Sequence, residues 1–95
     1  MIHIEKDWYI RQDGYKNYVL GRTYSYKSKG EDVEMLTDCT FHSSLKEALR
    51  AYTEISLSNL LKDKDCELID ALRMVSDEYK RLSELYGEIL SAPLD

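Results

Sequence analysis

Hydrophobic and polar residues alternate along the first part of the chain. At the start Ile2, Ile4, Trp8 and Ile10 share one parity, while charged and polar side chains take most positions of the other. A period of two is typical of a strand with one half-buried face. The pattern therefore predicts a first strand, and the Gly and Asn of QDGYKN predict a turn that closes a hairpin.

The alternation continues through two further segments. In YVLGRTYSYKSKG four even positions hold large side chains, and Arg22 interrupts them. The four are Tyr18, Leu20, Tyr24 and Tyr26. After a turn at SKGED, a third strand is predicted from Val33 to Phe41. Its alternation places four residues on one face: Val33, Met35, Cys39 and Phe41. Two short connections between three strands favour an antiparallel meander.

The pattern changes to helical spacing after His42. Ser44 is followed three residues later by Glu47, which is a capping box at the start of a helix. A helix is therefore predicted over residues 43–62. KDKD interrupts the apolar stripe and offers Asp63 or Asp65 as the N-cap of a second helix.

The second helix, predicted over residues 65–91, carries the most regular pattern in the chain. Its apolar residues are spaced 4, 3, 4, 3, 4 and 3 apart: Leu68, Leu72, Val75, Tyr79, Leu82, Tyr86 and Ile89. Such a heptad seam packs either on the chain's own first helix or on another subunit. For the second case the candidate oligomer seam consists of Leu72, Val75, Tyr79, Leu82 and Tyr86.

The order of elements predicts an α+β fold, in which a three-stranded antiparallel β-meander precedes two α-helices (βββαα). The length of 95 residues suits a single domain over residues 1–95. Within it the sheet is expected over residues 1–42.

Charge is distributed unevenly along this chain of net charge −5. Residues 1–30 hold six basic and three acidic side chains, whereas residues 31–95 hold seven basic and fifteen acidic ones. Proteins that bind long nucleic acids usually carry a strong positive field, so no stable nucleic-acid partner is expected. MIHIEKDW lacks the apolar core of a signal peptide, and no stretch is apolar enough for a membrane span. We therefore expect a cytoplasmic protein without a membrane partner.

Few residues suggest catalysis or metal binding. Cys39 and His42 form C-x-x-H, but a structural zinc needs four ligands, and Cys66 and His3 are far away in sequence. Cys39 as a nucleophile would need Asp38 or His42, which the alternation places on the other face. No phosphate-binding loop motif is present. We therefore expect neither an enzyme nor a metal or cofactor.

Tyrosine is unusually frequent, with eight residues against one Phe. Tyrosine is common at recognition surfaces, but it is also a good strand residue that pairs across strands. Both interpretations stay open at this point. For the first, the candidate ligand-binding residues are Tyr18, Arg22, Tyr24, Tyr26 and Lys27.

Three segments resemble a family of small proteins encoded by bacteriophages and prophages. The similar pieces are Tyr15–Leu20, Lys27–Glu31 and Phe41–Leu49, within a similarity that spans about residues 8–86. TFHSSL departs from the family pattern, which has two aromatic residues there. The shared motifs are fold signals, a hairpin and a capping box, and the resemblance brings no catalytic residues.

The resemblance implies a role in counter-defence, because small acidic phage proteins without motifs are often counter-defence factors. Anti-CRISPR proteins are the best known type and resemble this chain in size and charge. Such a protein would block a bacterial effector, for example a Cas protein, by covering one of its surfaces. An acidic surface on the second helix would suit a basic groove; its candidate residues are Glu67, Asp70, Asp77, Glu78, Glu84 and Glu88. The alternatives are an oligomeric sponge that binds a nucleotide signal through the sheet tyrosines, and a structural or regulatory phage protein.

Overall fold

Four strands and two helices make up the computed structural model, which describes residues 1–91. The elements are β1 (Ile2–Glu5), β2 (Trp8–Gln12), β3 (Tyr18–Ser28), β4 (Glu31–His42), α1 (Leu45–Leu61) and α2 (Leu68–Ser91). The strands form one antiparallel sheet in the order β1-β2-β3-β4. The fold is therefore α+β, with an antiparallel sheet followed by two helices, as predicted.

The sheet has one strand more than the sequence predicts. The segment expected as one strand reverses at Lys6, whose φ of 51° is left-handed, and so forms β1 and β2. No Gly, Pro or Asn marks this turn. The alternation does not reveal it either, because Ile2 pairs directly with Ile10 and both therefore keep the same face.

The face that carries Ile10 is core at one end of the sheet. Ile10 lies opposite Leu20 on β3, and both side chains are fully buried. Ile4 on β1 is buried as well. We call this side of the sheet the even face, after the numbering on β2 and β3.

The two long strands extend beyond the other two. β2 pairs with β3 only from Tyr18 to Arg22, whereas the β3–β4 pairing continues to the turn. Lys29 and Gly30 in that turn both have positive φ, 53° and 81°, which is the requirement of a type I′ hairpin turn. We call the two-stranded part, residues 23–36, the hairpin arm.

A bulge in β4 changes which residues share a face. The register shifts near Asp38, which has a left-handed φ of 55°. Before the bulge Met35 pairs with Tyr24 on the even face, whereas after it Phe41 pairs with Val19 on the opposite face. The prediction that Val33, Met35, Cys39 and Phe41 share a face is therefore wrong, because the extra residue reverses the alternation.

Both helices start later than predicted. The backbone N–H of Glu47 donates to Ser44 Oγ at 3.1 Å, so Ser44 is the N-cap and α1 starts at Leu45. For α2, the carbonyl of Glu67 accepts from Asp70 and Ala71 at 3.1 and 3.0 Å. Glu67 is therefore the N-cap, and the prediction of Asp63 or Asp65 is wrong.

The helices form an antiparallel pair. Thr53 Oγ1 lies 2.6 Å from the hydroxyl of Tyr86, and Ser56 Oγ donates to Glu78 Oε2 at 2.8 Å. The contacts run in opposite directions along the two helices, as expected for a hairpin with a short connection. Buried apolar side chains accompany them, namely Leu49, Tyr52, Leu82 and Ile89.

The chain forms two compact units, Met1–Ala48 and a second that starts at Leu49, so that the boundary falls in the first turn of α1. The assignment of residues 1–95 to one domain stays a prediction. Among residues 1–91, neither helix is long and apolar enough to cross a membrane.

Candidate functional site

An apolar surface lies open on the even face of the hairpin arm. Tyr24 pairs with Met35 and Tyr26 pairs with Val33, so the four side chains lie side by side. We call these four residues the arm face. Tyr24, Tyr26 and Met35 are 44%, 42% and 46% exposed, and Val33 is half-buried. Sheet faces of this composition are normally covered, so an open one is a candidate binding surface.

Contacts within the arm face hold its side chains in place. The rings of Tyr24 and Tyr26 stack with centroids 5.9 Å apart and an interplanar angle of 27°. The hydroxyl of Tyr24 donates to Met35 Sδ at 3.7 Å across the strands. Side chains that are already ordered lose less conformational entropy when a partner binds.

The Arg22 guanidinium lies next to the arm face, at the end that is nearer to β2. Arg22 lies directly opposite Trp8, and its guanidinium carbon is 5.7 Å from the centre of the Trp8 ring. The same guanidinium donates to Asp7 Oδ2 from Nε at 3.0 Å and pairs with that oxygen through Nη2 at 2.9 Å. This hydrogen bond lowers the pKa of Asp7, although partial desolvation opposes the effect. The charge of Arg22 is therefore already compensated.

The structure brings together three of the five candidate ligand-binding residues. Arg22, Tyr24 and Tyr26 follow one another along the even face. Tyr18 shares that face but lies six residues from Tyr24, about 20 Å along the strand. Lys27 lies opposite Asp32 on the other face of the arm. Neither Tyr18 nor Lys27 therefore belongs to the surface that Tyr24 and Tyr26 form.

The six candidate acidic residues do not form one uniform surface. Four of them recur at helical spacing on the outward side of α2, namely Asp70, Asp77, Glu84 and Glu88. Arg73 and Lys80 alternate with them on that side. Glu78 points inward and binds Ser56 and Arg81, the latter at 2.6 Å. Glu67 is the helix N-cap.

The candidate oligomer seam is divided between two sides of α2. Leu82 is buried, and the Tyr86 hydroxyl donates to the carbonyl of Leu49 at 3.2 Å, inside the helical pair. Val75 is half-buried. Leu72 and Tyr79 are exposed. The heptad therefore serves mainly the contact with α1, and its exposed members need another explanation.

Residues suited to metal or nucleophilic chemistry do not converge. Cys39 is half-buried beside Gly21, whereas His42 pairs with Tyr18 on the even face and contacts the Thr40 hydroxyl at 2.7 Å. Within residues 1–91 no three His, Cys, Asp or Glu side chains are grouped closely enough to hold a metal ion.

Sequence reasoning missed Val33 and Met35 as partners of the tyrosines. The alternation of the sequence correctly places Val33 and Met35 on one face of β4 before the bulge, but only the register shows which tyrosine each one meets.

No protein-family model, curated protein or solved structure matches this chain.

Proposed function

We propose that the chain is a non-enzymatic binding protein and that the arm face is the surface through which it recognises a protein partner. The observation that carries the proposal is the exposure of Tyr24, Tyr26 and Met35 as one ordered, uncharged surface. Tyrosine and methionine are enriched at the centres of protein interfaces. Methionine is also adaptable, so Met35 suits an irregular partner surface.

We further propose that the partner is an effector of a bacterial defence system and that binding inhibits it. This biological setting rests on the resemblance of Tyr15–Leu20, Lys27–Glu31 and Phe41–Leu49 to phage and prophage proteins. In this proposal the protein is phage-encoded and acts as an anti-CRISPR protein, most directly by covering part of a Cas effector.

The acidic side of α2 has a supporting role in this proposal. Its acids alternate with Arg73 and Lys80, so its field is weaker than the count of carboxylates suggests. Complementary charges on two partners mainly speed association and make it dependent on salt. We therefore expect charge reversal of Asp77 and Glu84 to slow association, and loss of the tyrosines to abolish the complex.

The experiment compares bacterial strains that each carry one defence system, with and without this protein, by counting plaques of a phage that the system restricts. Wild-type protein should restore plaques in at least one strain, and purified protein should bind the matching effector. Tyr24→Ser/Tyr26→Ser should lose both effects. Lys27→Ser/Glu34→Ser, on the other face of the same arm, is the matched control and should retain them.

Two results would contradict the proposal at different points. If no defence system is inhibited in any strain, the counter-defence role is wrong. If inhibition survives in the folded tyrosine variant but fails in Asp77→Lys/Glu84→Lys, the working surface is α2 and not the arm.

A nucleotide sponge is the second candidate, favoured by the stacked Tyr24 and Tyr26 rings, because bases stack on aromatic side chains. The basic residues support it less, since Arg22 is paired with Asp7 and Lys27 faces away. Calorimetry against cyclic and linear nucleotides tests it. Binding that Tyr24→Ala and Arg22→Ala abolish would favour the sponge, and no heat with any nucleotide would exclude it.

A further inference from the structure

A second apolar stripe follows α2 beside the one that contacts α1. Seven positions spaced 3, 4, 3, 4, 3 and 4 residues apart hold only uncharged side chains: Ile69, Leu72, Ser76, Tyr79, Ser83, Tyr86 and Leu90. We call them the outer stripe. A repeat of 3.5 residues over three heptads is the spacing of a helix that packs along another helix.

The outer stripe is largely open. Ile69, Leu72 and Leu90 are more than half exposed, Tyr79 is 47% exposed, and both serines are exposed. Tyr86 belongs to both sides of α2. Its hydroxyl bonds to Thr53 and Leu49 on α1, while the residue is only half-buried. Large aliphatic side chains exposed in a row are unusual on a monomer and mark a contact surface.

We propose that the outer stripe binds a second copy of the same chain, with the two α2 helices antiparallel. The argument is the alternation of side-chain size. In a parallel pair in register, Tyr79 would meet Tyr79 of the second copy and each serine would meet a serine. Layers with two tyrosines would be overfilled and layers with two serines would leave gaps, so the two helices would pack poorly.

An antiparallel pair removes this mismatch in one register. When Leu72 lies opposite Leu90 of the second copy, Ser76 lies opposite its Tyr86 and Tyr79 opposite its Ser83. Each bulky ring then meets a small side chain, and the layers that these six positions form have similar volumes. The two-fold axis passes close to residue 81, so each contact occurs twice, as in an isologous dimer.

Charge is compatible with a second copy as well. The stripe has no acidic or basic side chain from Ile69 to Leu90. Arg73 and Lys80 flank it, and each has an acid four residues further along α2, Asp77 and Glu84 respectively. Pairs at this spacing attract one another on a helix, so each copy compensates part of the charge beside its own stripe.

An exchange of side-chain sizes tests both the dimer and its register. Sedimentation velocity of the full chain over a range of concentrations should show a monomer–dimer equilibrium. Tyr79→Ser and Ser83→Tyr should each weaken the dimer at least tenfold. The double variant Tyr79→Ser/Ser83→Tyr should restore it, because each new tyrosine again meets a serine. Glu54→Ser, at an exposed position of α1 away from the stripe, is the control that should change little.

A wild-type chain that stays monomeric at every concentration would overturn the proposal, and so would a double variant no stronger than the weaker single variant. Circular dichroism shows whether each variant is folded. The variant Tyr24→Ser/Tyr26→Ser tests whether the arm face forms the dimer contact. We expect it to dimerise like wild type, which would exclude the arm face.

Distance measurement tests the orientation without altering the stripe. Cys39 and Cys66 are first replaced by Ser, and a spin label is attached at Lys80→Cys or at Arg73→Cys. At 1.5 Å per residue, the two labels of an antiparallel dimer are offset along the axis by about 3 Å for residue 80 and about 24 Å for residue 73. Equal label distances at both sites would show a parallel pair and contradict the proposal.

Discussion

Gly21 and Gly87 show how differently two glycines depend on their surroundings. A Cβ on Gly21 would lie 3.1 Å from Cys39 Sγ and 3.1 Å from the carbonyl oxygen of Thr37. The bulge in β4 brings that backbone close to β3, so this position needs a residue without a side chain. Gly87 lies within α2, and a Cβ there meets no atom within 4 Å beyond its chain neighbours and the backbone of its own helix.

Opposite effects are therefore expected from the same substitution. Gly21→Ala should lower the free energy of unfolding by about 1–3 kcal/mol, because the backbone of Thr37 cannot move away freely. Gly87→Ala should raise it by about 1 kcal/mol, because Ala favours the helix. Urea denaturation at low protein concentration measures both. A Gly21→Ala chain as stable as wild type would show that β4 moves away at little cost.

The ion pair between Asp7 and Arg22 makes a prediction for the dependence of stability on pH. The pKa of Asp7 is lowered in the folded chain by its bond to Arg22. The pair therefore contributes fully above the unfolded pKa, about 3.9 for Asp. Its contribution disappears as the pH falls through the lowered, folded pKa.

Denaturation midpoints measured from neutral to strongly acidic buffer test this dependence. Asp7→Asn should be less stable than wild type at neutral pH, by a small amount because the pair is exposed. The difference should vanish in acid. Arg22→Gln should remove the same pH dependence, and a difference that stays constant down to strong acid would refute the assignment.

At the scale of elements, the periodicity of two predicts the sheet but not its interruptions. Lys6 and Asp38 adopt left-handed φ, yet neither is a glycine and neither lies in a recognisable turn motif. The turn at Lys6 adds a strand, and the bulge at Asp38 reverses a face. Such reversals depend on contacts between strands, which a single sequence does not display.

The helical pair was predicted more completely. Ser44 as N-cap is confirmed by the Glu47 N–H bond, and the heptad identifies the buried Leu82 and Ile89. Two overlapping heptads share Leu72, Tyr79 and Tyr86, however. Only the position of α1 shows which of them is inside. The candidate site was predicted only in part. The sequence identified Tyr24 and Tyr26, but not whether their face of the sheet is covered.

The hydroxyl of Tyr86 gives the helical pair a testable polar contact. It lies 2.6 Å from Thr53 Oγ1 and donates to the carbonyl of Leu49, which Thr53 also contacts at 2.9 Å. Tyr86→Phe should cost about 1 kcal/mol, the usual net value of a hydrogen bond. Tyr79→Phe, on the exposed side of the same helix, is the control. Equal urea midpoints for the two variants in dilute solution would show that the network adds nothing.

At the scale of the whole molecule, the two proposed surfaces lie on separate elements. The arm face consists of sheet residues, and the outer stripe belongs to α2. A net charge of −5 keeps copies apart at long range, so any dimer must rely on short-range apolar contact. Raising the salt concentration should therefore strengthen dimerisation, while it slows association with a basic partner.

Because the two surfaces belong to different elements, we expect substitutions in one to leave the other unchanged. Tyr79→Ser should be monomeric but should bind the effector in solution with unchanged affinity, whereas Tyr24→Ser/Tyr26→Ser should dimerise but not bind. On an effector immobilised at high density, wild type should dissociate more slowly than Tyr79→Ser, because a dimer can engage two sites.

If Tyr79→Ser also loses its affinity in solution, the partner contacts both surfaces or only the dimer is competent to bind. These cases are separated by measuring effector binding with this protein at concentrations far below its dimer dissociation constant. Wild type is then monomeric too, so only direct contact of Tyr79 with the effector would still distinguish the variant.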